Sequence, residues 1–394
     1  MSELAQAFHQ YLAKTTPIPL GLEILKAKGT YLYDKRGNSY LDFVSGVSAC
    51  NLGHSHPKIN RAIYKQLRLH NHIMVYGELI QKPVVSYAKL LIDSLPETHQ
   101  KFYPTNSGTE AMEGAIKLAK KATHRSQIIS AKHGYHGSSQ GSLSILGQSE
   151  NRNPFRPLIP GNQQIRFNDF EDLREITTKT AAVVLETIQG GAGFIVPQKD
   201  YLKKVGERCH EKGALLILDE IQTGFGRLGT LFGFEQFDVV PDILVIGKSM
   251  ASGLPVGGFT ASKKLMDQLA NEPPLGHITT FGGHPVVMAS ALKTLEIIQT
   301  LIKTNLIQKK ERLFRSLLIH EKIKEIRGRG LMLALILPSA KKAQKLMRLC
   351  LEHRLITFGL LWEKSAVRIT PSLIIPRQDI IIGCRIILQC LDKL

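Results

Sequence analysis

The sequence predicts an α/β protein built on a largely parallel sheet, and three observations carry that prediction. Between about residues 100 and 262, short apolar or β-rich runs alternate with helix-like patterns. Two of the runs, Leu215-Leu216-Ile217-Leu218 and Ile243-Leu244-Val245-Ile246, are continuous aliphatic stretches, as expected of strands buried on both faces. Each ends on a chemically useful side chain: Asp219 directly follows the first, and Lys248 follows the second after Gly247. A carboxylate and an amine are thereby delivered to the C-terminal edge of a parallel sheet, where ligands bind in open α/β folds.

Taken in order, residues 3–13 read as a short helix and residues 29–43 as a β-hairpin. Aromatic and apolar residues alternate on both arms of the hairpin, and Arg36-Gly37-Asn38 supplies its turn. His54-Ser55-His56 has the form of a metal-binding pair but lacks further ligands at useful spacing, so it reads as the loop before a helix beginning at Pro57. Strands are predicted at 101–104, 128–131, 181–185, 215–218, 244–246 and 258–261. A long amphipathic helix is expected from about Pro285 towards His320. Arg327-Gly328-Arg329-Gly330 then breaks it before a strand at 331–337, and the remainder reads as a smaller α+β unit.

The 394 residues are 43% hydrophobic, enough for a large core and more than one lobe. No uninterrupted apolar run approaches the roughly 18 residues of a membrane span, and the first residues lack the basic and apolar regions of a signal peptide. The five cysteines are scattered without a Cys-x-x-Cys pair, which indicates neither a zinc ribbon nor a disulfide framework and suits a cytoplasmic setting. The 51 Lys and Arg against 33 Asp and Glu give a net charge of +18. That excess raises nucleic-acid or anionic-membrane binding as a possibility. The basic residues are densest over 303–329 and 341–348, where they interleave with Leu and Ile at helical spacing. A solvated helix face accounts for that pattern, and a basic surface also concentrates anionic substrates.

Several runs end on residues that can serve a cofactor. Ser107-Gly108-Thr109 opens a helical pattern with Ala111, Ala115, Leu118, Ala119 and Ala122 on one face. Alone it is a helix cap; it also offers hydroxyls and free amides at the positive end of a helix, which suit a phosphate. In His133-Gly134-Tyr135-His136-Gly137, flanking glycines let Tyr135 lie against a flat ligand, although an aromatic in a turn needs no ligand. Glu186 ends Val183-Val184-Leu185 before the turn Gln189-Gly190-Gly191. Asp219 with Lys248 suits pyridoxal 5′-phosphate, whose aldehyde is held by a lysine and whose ring nitrogen needs a carboxylate.

Together, Ser107-Gly108-Thr109-Glu110-Ala111, Tyr135-His136-Gly137, Glu186-Thr187-Ile188-Gln189-Gly190, the run Asp219 to Arg227, Gly247-Lys248-Ser249 and the run Thr279 to Pro285 make a specific order. Over nearly its whole length the sequence resembles the class III pyridoxal-phosphate aminotransferases, the group of the acetylornithine, ornithine and 4-aminobutyrate enzymes. The resemblance implies fold type I, with a mostly parallel seven-stranded sheet flanked by helices in a large domain (46–285). It further implies an N-terminal segment (1–45) packing with a smaller C-terminal α+β domain (286–394). It assigns Lys248 to cofactor attachment and proton transfer, Asp219 to the ring nitrogen, Gln222 to the phenolic oxygen, and Tyr135 and Ile221 to opposite ring faces. Ser107, Gly108 and Thr109 become the phosphate cup, with His136 and Glu186 also in the cofactor site and Arg368 gripping a substrate carboxylate. Thr280 is implied to reach the phosphate of a neighbouring subunit, hence a homodimer with shared sites.

Two positions depart from that group. Ser138 stands where ornithine-type and 4-aminobutyrate-type members commonly carry an arginine for the distal carboxylate of 2-oxoglutarate, and Gly191 stands where they carry a glutamate that switches the carboxylate-gripping arginine. Glutamate and 2-oxoglutarate are therefore open to question as the donor–acceptor pair unless Arg152 or Arg156 substitutes. The expected activity is ping-pong transfer of an amino group, the terminal one of an amine or amino acid, to a 2-oxo acid. The alternatives are a same-fold aminomutase or decarboxylase, or a non-catalytic basic nucleic-acid-binding protein.

Overall fold

The computed structural model of the protein describes residues 2–394. Strands β1 (Ile24–Lys28), β2 (Tyr31–Asp34) and β3 (Ser39–Asp42) form an antiparallel meander. The β2–β3 turn is fixed by the Asp34 carboxylate, which accepts the amides of Arg36 and Asn38 at 2.9 Å each, with Gly37 at φ +82°. The central sheet comprises β4 (Lys101–Thr105), β5 (Gln127–Ala131), β6 (Asn162–Ile165), β7 (Thr180–Glu186), β8 (Leu215–Asp219), β9 (Ile243–Gly247) and β10 (Gly257–Ala261). Its spatial order is β4-β10-β9-β8-β7-β5-β6, with β10 antiparallel to both neighbours and every other pair parallel. Near the C-terminus lie β11 (Glu325–Arg329), β12 (Met332–Ile336), β13 (Leu355–Ile356), β14 (Phe358–Gly359) and β15 (Ala366–Ile369). β13 joins the first meander beside β3, and the other four make an antiparallel sheet.

The central sheet is apolar on both faces. Ile129, Val183, Leu185, Leu216, Leu218 and Ile246 belong to one core cluster, and Ile128, Ala182, Val184, Ile217, Val245 and Phe259 to another. Residues two apart in a strand share a face, so each aliphatic run feeds both cores. Helix Gly108–Thr123 covers the second face with Ala111, Met112, Ala115, Leu118 and Ala119, all fully buried. Helix Pro285–Ile302 has the length and composition to span a membrane. Here it packs on helices Pro57–Leu67 and Lys82–Ile92 and buries Met288, Ala291, Leu295 and Ile298.

The structure corrects the reading of the sequence at three places. Strand β6 was not predicted, because Asn162-Gln163-Gln164 is polar and only Ile165 of this edge strand is buried. The expected helix from Pro285 towards His320 is two helices, Pro285–Ile302 and Leu306–Leu317, separated by Asn305 in the left-handed region at φ +52°. Arg327-Gly328-Arg329 does not interrupt the chain but forms part of β11. The break is the two-residue turn Gly330-Leu331 of the β11–β12 hairpin, with Gly330 at φ +61°.

One fully buried guanidinium ties the central sheet to the C-terminal one. Arg227 Nη1 donates to the carbonyls of Leu331 (2.8 Å) and Pro371 (2.6 Å), and Nη2 donates to Asn51 Oδ1. Burial without a carboxylate partner pushes it down to about 9. Substituting Arg227 by Met strands those buried acceptors, each costing about 1–3 kcal/mol. Arg227→Met is therefore expected to lower the free energy of unfolding, measured by urea titration, by several kcal/mol. A loss under 1 kcal/mol in equilibrium unfolding would show that the bridge is not needed.

Candidate functional site

The parallel register places two acids side by side. Glu186 at the end of β7 is directly opposite Asp219 at the end of β8, and Asp219 in turn faces Val245, three residues before Lys248. Asp219 is buried. Its Oδ2 accepts from His136 Nδ1 at 2.8 Å and its Oδ1 accepts the Ile221 amide at 3.0 Å. Burial opposes charge on His136, but the Asp219 hydrogen bond and charge, with Glu186 behind it, outweigh burial and raise its pKa. Glu186 accepts the amides of Tyr135 (3.0 Å) and Gly190 (2.9 Å). Burial pushes Glu186 up to about 7; the charge of His136 opposes this and that of Asp219 adds to it. Lys248 takes a left-handed φ of +42° as the chain leaves β9. Burial holds its amine below the ordinary lysine value, against the charges of Asp219 and Glu186 and together with that of Arg368.

The start of helix Gly108–Thr123 faces the same edge. Ser107 Oγ caps it by accepting the Glu110 amide at 3.3 Å, while among the described residues the amides of Gly108 and Thr109 have no recorded acceptor. Thr109 Oγ1 lies 2.6 Å from Ser139 Oγ and 2.7 Å from Ser142 Oγ. That cluster is held by Glu113, whose Oε1 accepts from Ser139 Oγ, the Gly141 amide and the Ser142 amide at 2.6–3.0 Å. Gly137, at φ +129°, has no room for a Cβ beside Thr109 Oγ1, and a Cβ on Gly108 would stand 2.7 Å from Ile221 Cδ1. Tyr135 is half-buried with its hydroxyl 3.2 Å from Ser138 Oγ, and Gln222 Nε2 donates to Ser48 Oγ at 3.3 Å.

Arg368, on β15 opposite Phe358 and Ala334, is 6% exposed, and its Nε and Nη1 have no hydrogen-bond partner. Its guanidinium lies over the Phe194 ring at 5.8 Å, and burial pushes it down to about 10. Thr280 stands apart: it lies on an exposed segment and makes no side-chain hydrogen bond among the described residues. Neither Arg152 nor Arg156 is recorded in a hydrogen bond or ion pair with Tyr135, Ser138 or Arg368. Arg156 Nε donates to Asn153 Oδ1, and Arg152 carries an unpartnered Nε. His54 Nε2 bonds Asp42 Oδ2 at 2.8 Å.

Several contributors were not read from the sequence. Glu220, beside Asp219, is fully buried and accepts from Thr187 Oγ1 and from the amides of Gly233 and Phe234, which anchors the loop after β8. Ser48, Glu113, Ser139 and Ser142 also carry no motif of their own. The one available signal was the small-residue density of Ser138-Ser139-Gln140-Gly141-Ser142 directly after the Tyr135 turn.

A family model described as aminotransferase class-III matches residues 11–391. The acetylornithine aminotransferase of Clostridium acetobutylicum is 36% identical over 370 residues, covering 90% of this chain and 92% of that protein. A [LysW]-aminoadipate semialdehyde/glutamate semialdehyde transaminase of Sulfolobus acidocaldarius is 36% identical over 325 residues, 80% of this chain and 81% of that one. Among solved structures, an ornithine aminotransferase from Toxoplasma gondii, with pyridoxal phosphate (PLP) at partial occupancy in its active site, superposes with a TM-score of 0.92. It is 27% identical, and the match spans 99% of this chain and 93% of that one.

The Glu186 environment has a pH signature in the cofactor-free protein. Between its unfolded value of 4.5 and its folded value of about 7, the folded state keeps a proton that the unfolded state has released. Stability from this group is thus full below about pH 4.5 and is lost as pH rises to about 7, on the order of 3 kcal/mol in all. Urea midpoints at pH 5 and pH 8 are expected to fall less for Glu186→Gln than for the unsubstituted protein. Parallel pH profiles would refute this.

Proposed function

The chain belongs to the class-III aminotransferase family, and on that premise we propose that it binds pyridoxal 5′-phosphate at Lys248 and moves an amino group from a donor to a 2-oxo acid in two half-reactions. What supports the cofactor is the fit of its separate parts to separate features. The unpartnered amides of Gly108 and Thr109, with the Thr109 hydroxyl, suit the phosphate. Ile221 against Gly108 and Thr109 against Gly137 leave no room for a side chain at either glycine, so the helix start, the turn after Tyr135 and the turn after Asp219 approach closely. Asp219, buried with one oxygen accepting from His136 Nδ1 and the other from the Ile221 amide, suits a protonated ring nitrogen, and Lys248 lies within the field of both acids. When bound, the cofactor supplies an aldehyde that takes up the amine and a ring that accepts electrons.

The chain's own groups then divide the work. Asp219 holds the ring-nitrogen proton, and His136 orients Asp219 through Nδ1. Tyr135 and Ile221 would confine the ring from its two faces, Gln222 would donate to its phenolic oxygen, and Glu186 would lie near them. Ser107, Gly108 and Thr109 bind the phosphate. Lys248 would hold the cofactor and would move a proton at the substrate carbon; its amine, held below the ordinary lysine value, releases a proton more readily than a surface lysine. Arg368 binds a substrate carboxylate through its two unpartnered nitrogens.

The donor is proposed to be an amine or an amino acid reacting at a terminal amino group, in line with the names of the relatives. Assembly as a homodimer, with Thr280 of the partner subunit at the phosphate, is supported by an exposed apolar surface. Tyr64, Leu69, Ile80, Val85, Leu275 and Phe281 are 53–95% exposed in the single chain. Location in the cytoplasm is supported by five free cysteines.

The single observation that carries the reading is the convergence of Glu186, Asp219 and Lys248 on one sheet edge beside a helix start with free amides. Holoenzyme is expected to lose its visible absorbance band with a productive donor alone and to regain it on addition of a 2-oxo acid. Lys248→Ala should lower the rate by at least about 10²–10⁴-fold. Turnover of the donor without any acceptor would overturn transamination in favour of an aminomutase or decarboxylase. Sedimentation as a monomer at assay concentration would overturn the shared site.

A further inference from the structure

Cys50 differs from the other four cysteines in what governs thiol chemistry. Cys209, Cys350, Cys384 and Cys390 are buried, whereas Cys50 is partly exposed. Burial pushes the Cys209 and Cys384 thiols up, and Cys350 and Cys390 hydrogen-bond to each other inside the C-terminal core. Cys50 instead lies beside a histidine held by a buried carboxylate. Asp42 Oδ1 accepts the amides of Val44 (2.8 Å) and Ser45 (3.0 Å), and its Oδ2 bonds His54 Nε2, which leaves the other ring nitrogen for the Cys50 thiol. The hydrogen bonds of Asp42 and then of Cys50 raise His54 to about 9 against the effect of burial. At neutral pH the ring is charged and presents a cation to the sulfur.

A second cation stands behind the first. Arg227 is fully buried and feels the charge of Cys50; its terminal nitrogens are taken by Leu331, Pro371 and Asn51, but its Nε is buried and has no hydrogen-bond partner among the described residues. Partly exposed thiols in electropositive surroundings react with oxidants, and thiols buried in apolar cores do not.

The sulfur also touches two segments that reach the cofactor site. A Cβ on Gly46 would stand 3.4 Å from Cys50 Sγ, and one on Gly253 would stand 3.3 Å from it. Gly46 belongs to the run Ser45–Ser48, in which all four residues take left-handed φ values of 51–67°. Such a run is costly for residues other than glycine, so it persists only while it is held. Asp42 holds its first amide, and Ser48 Oγ accepts Gln222 Nε2 at its end. Gly253 follows the turn Lys248–Ala251.

We propose that Cys50 is a modification site, oxidised by hydroperoxides to the sulfenic acid, and that the added oxygen displaces the Ser45–Ser48 run and the turn after Lys248 and so weakens cofactor binding. The sulfur attacks the terminal peroxide oxygen. An S–O bond forms as the O–O bond breaks, the sulfur loses two electrons, and the remaining peroxide oxygen leaves as water or an alcohol with the thiol proton. Two equivalents of a small thiol reverse the change, the first releasing water to give a mixed disulfide and the second freeing Cys50. The modification stands apart from the transaminase reading; its effect on the cofactor site rests on that reading.

The test treats the holoenzyme with hydrogen peroxide and dimedone, which traps sulfenic acids, and quantifies each cysteine peptide by mass spectrometry. Cys50 is expected to be labelled at least about tenfold above each of the other four. His54→Gln, with its fold checked by circular dichroism, is expected to slow that labelling at least about tenfold. After peroxide treatment, pyridoxal phosphate added to the apoprotein is expected to bind at least about tenfold more weakly, with recovery in dithiothreitol, while Cys50→Val, which keeps a side chain of similar size, retains its affinity. Labelling of Cys50 no greater than that of the buried cysteines, or an undiminished rate in His54→Gln, would overturn the modification. Equal loss of affinity in Cys50→Val would overturn the link to the cofactor site. If the unoxidised protein binds no pyridoxal phosphate, the transaminase reading fails and that link falls with it, whereas the dimedone result still decides the modification.

Discussion

A carboxylate pinned in a buried position governs the layout of this molecule. Both oxygens of Asp219 are satisfied at the end of an aliphatic strand, one by His136 Nδ1 and the other by the Ile221 amide, and each donor comes from a different loop. The turn that brings His136 also brings Tyr135, whose amide is held by Glu186 on the neighbouring strand. The turn that brings the Ile221 amide also presents the Ile221 side chain to Gly108 at the mouth of the phosphate-type cradle. Satisfying one acid therefore sets the positions of two loops at once, and the adjacent acid, Glu220, fastens the second of them to the body of the sheet through Thr187, Gly233 and Phe234.

Much of this was legible in the sequence, for a definite reason. Parallel strands buried on both faces are written as uninterrupted aliphatic runs, so β7, β8 and β9 and the polar residues that end them could be found without knowing their neighbours. What was not legible depended on contacts between distant segments. β6 is a strand because β5 offers it an edge, not because Asn162-Gln163-Gln164 favours one. Arg327-Gly328-Arg329 looks like a breaker, yet it pairs in full register with Ala334, Leu333 and Met332. The meaning of Gly191 could be stated only as an absence until Trp362, 171 positions away, was seen to fill the space above it.

The electrostatics of the site follow from the same economy of partners. Two acids, one histidine, one lysine and one arginine share a buried volume, and only Asp219 and His136 among them are bonded to each other. The other three are displaced from their usual pKa values chiefly by burial: Glu186 upward, Lys248 and Arg368 downward. Such displacement is what a site has when its charged groups are reserved for groups that arrive from outside. The net charge of +18 adds a long-range bias in the same direction, since it favours the approach of anions.

The Arg227 bridge bears on the order of events in folding. Its acceptors lie 104, 144 and 176 positions from it along the chain, so the three bonds can close only after the N-terminal, central and C-terminal segments have all been assembled. Contacts of such separation carry a large loop-closure entropy and form late. The bridge is consequently expected to close after the segments it joins are in place. It contributes little to the speed of the forward reaction and acts on the lifetime of the finished molecule, because unfolding must first give up those buried bonds.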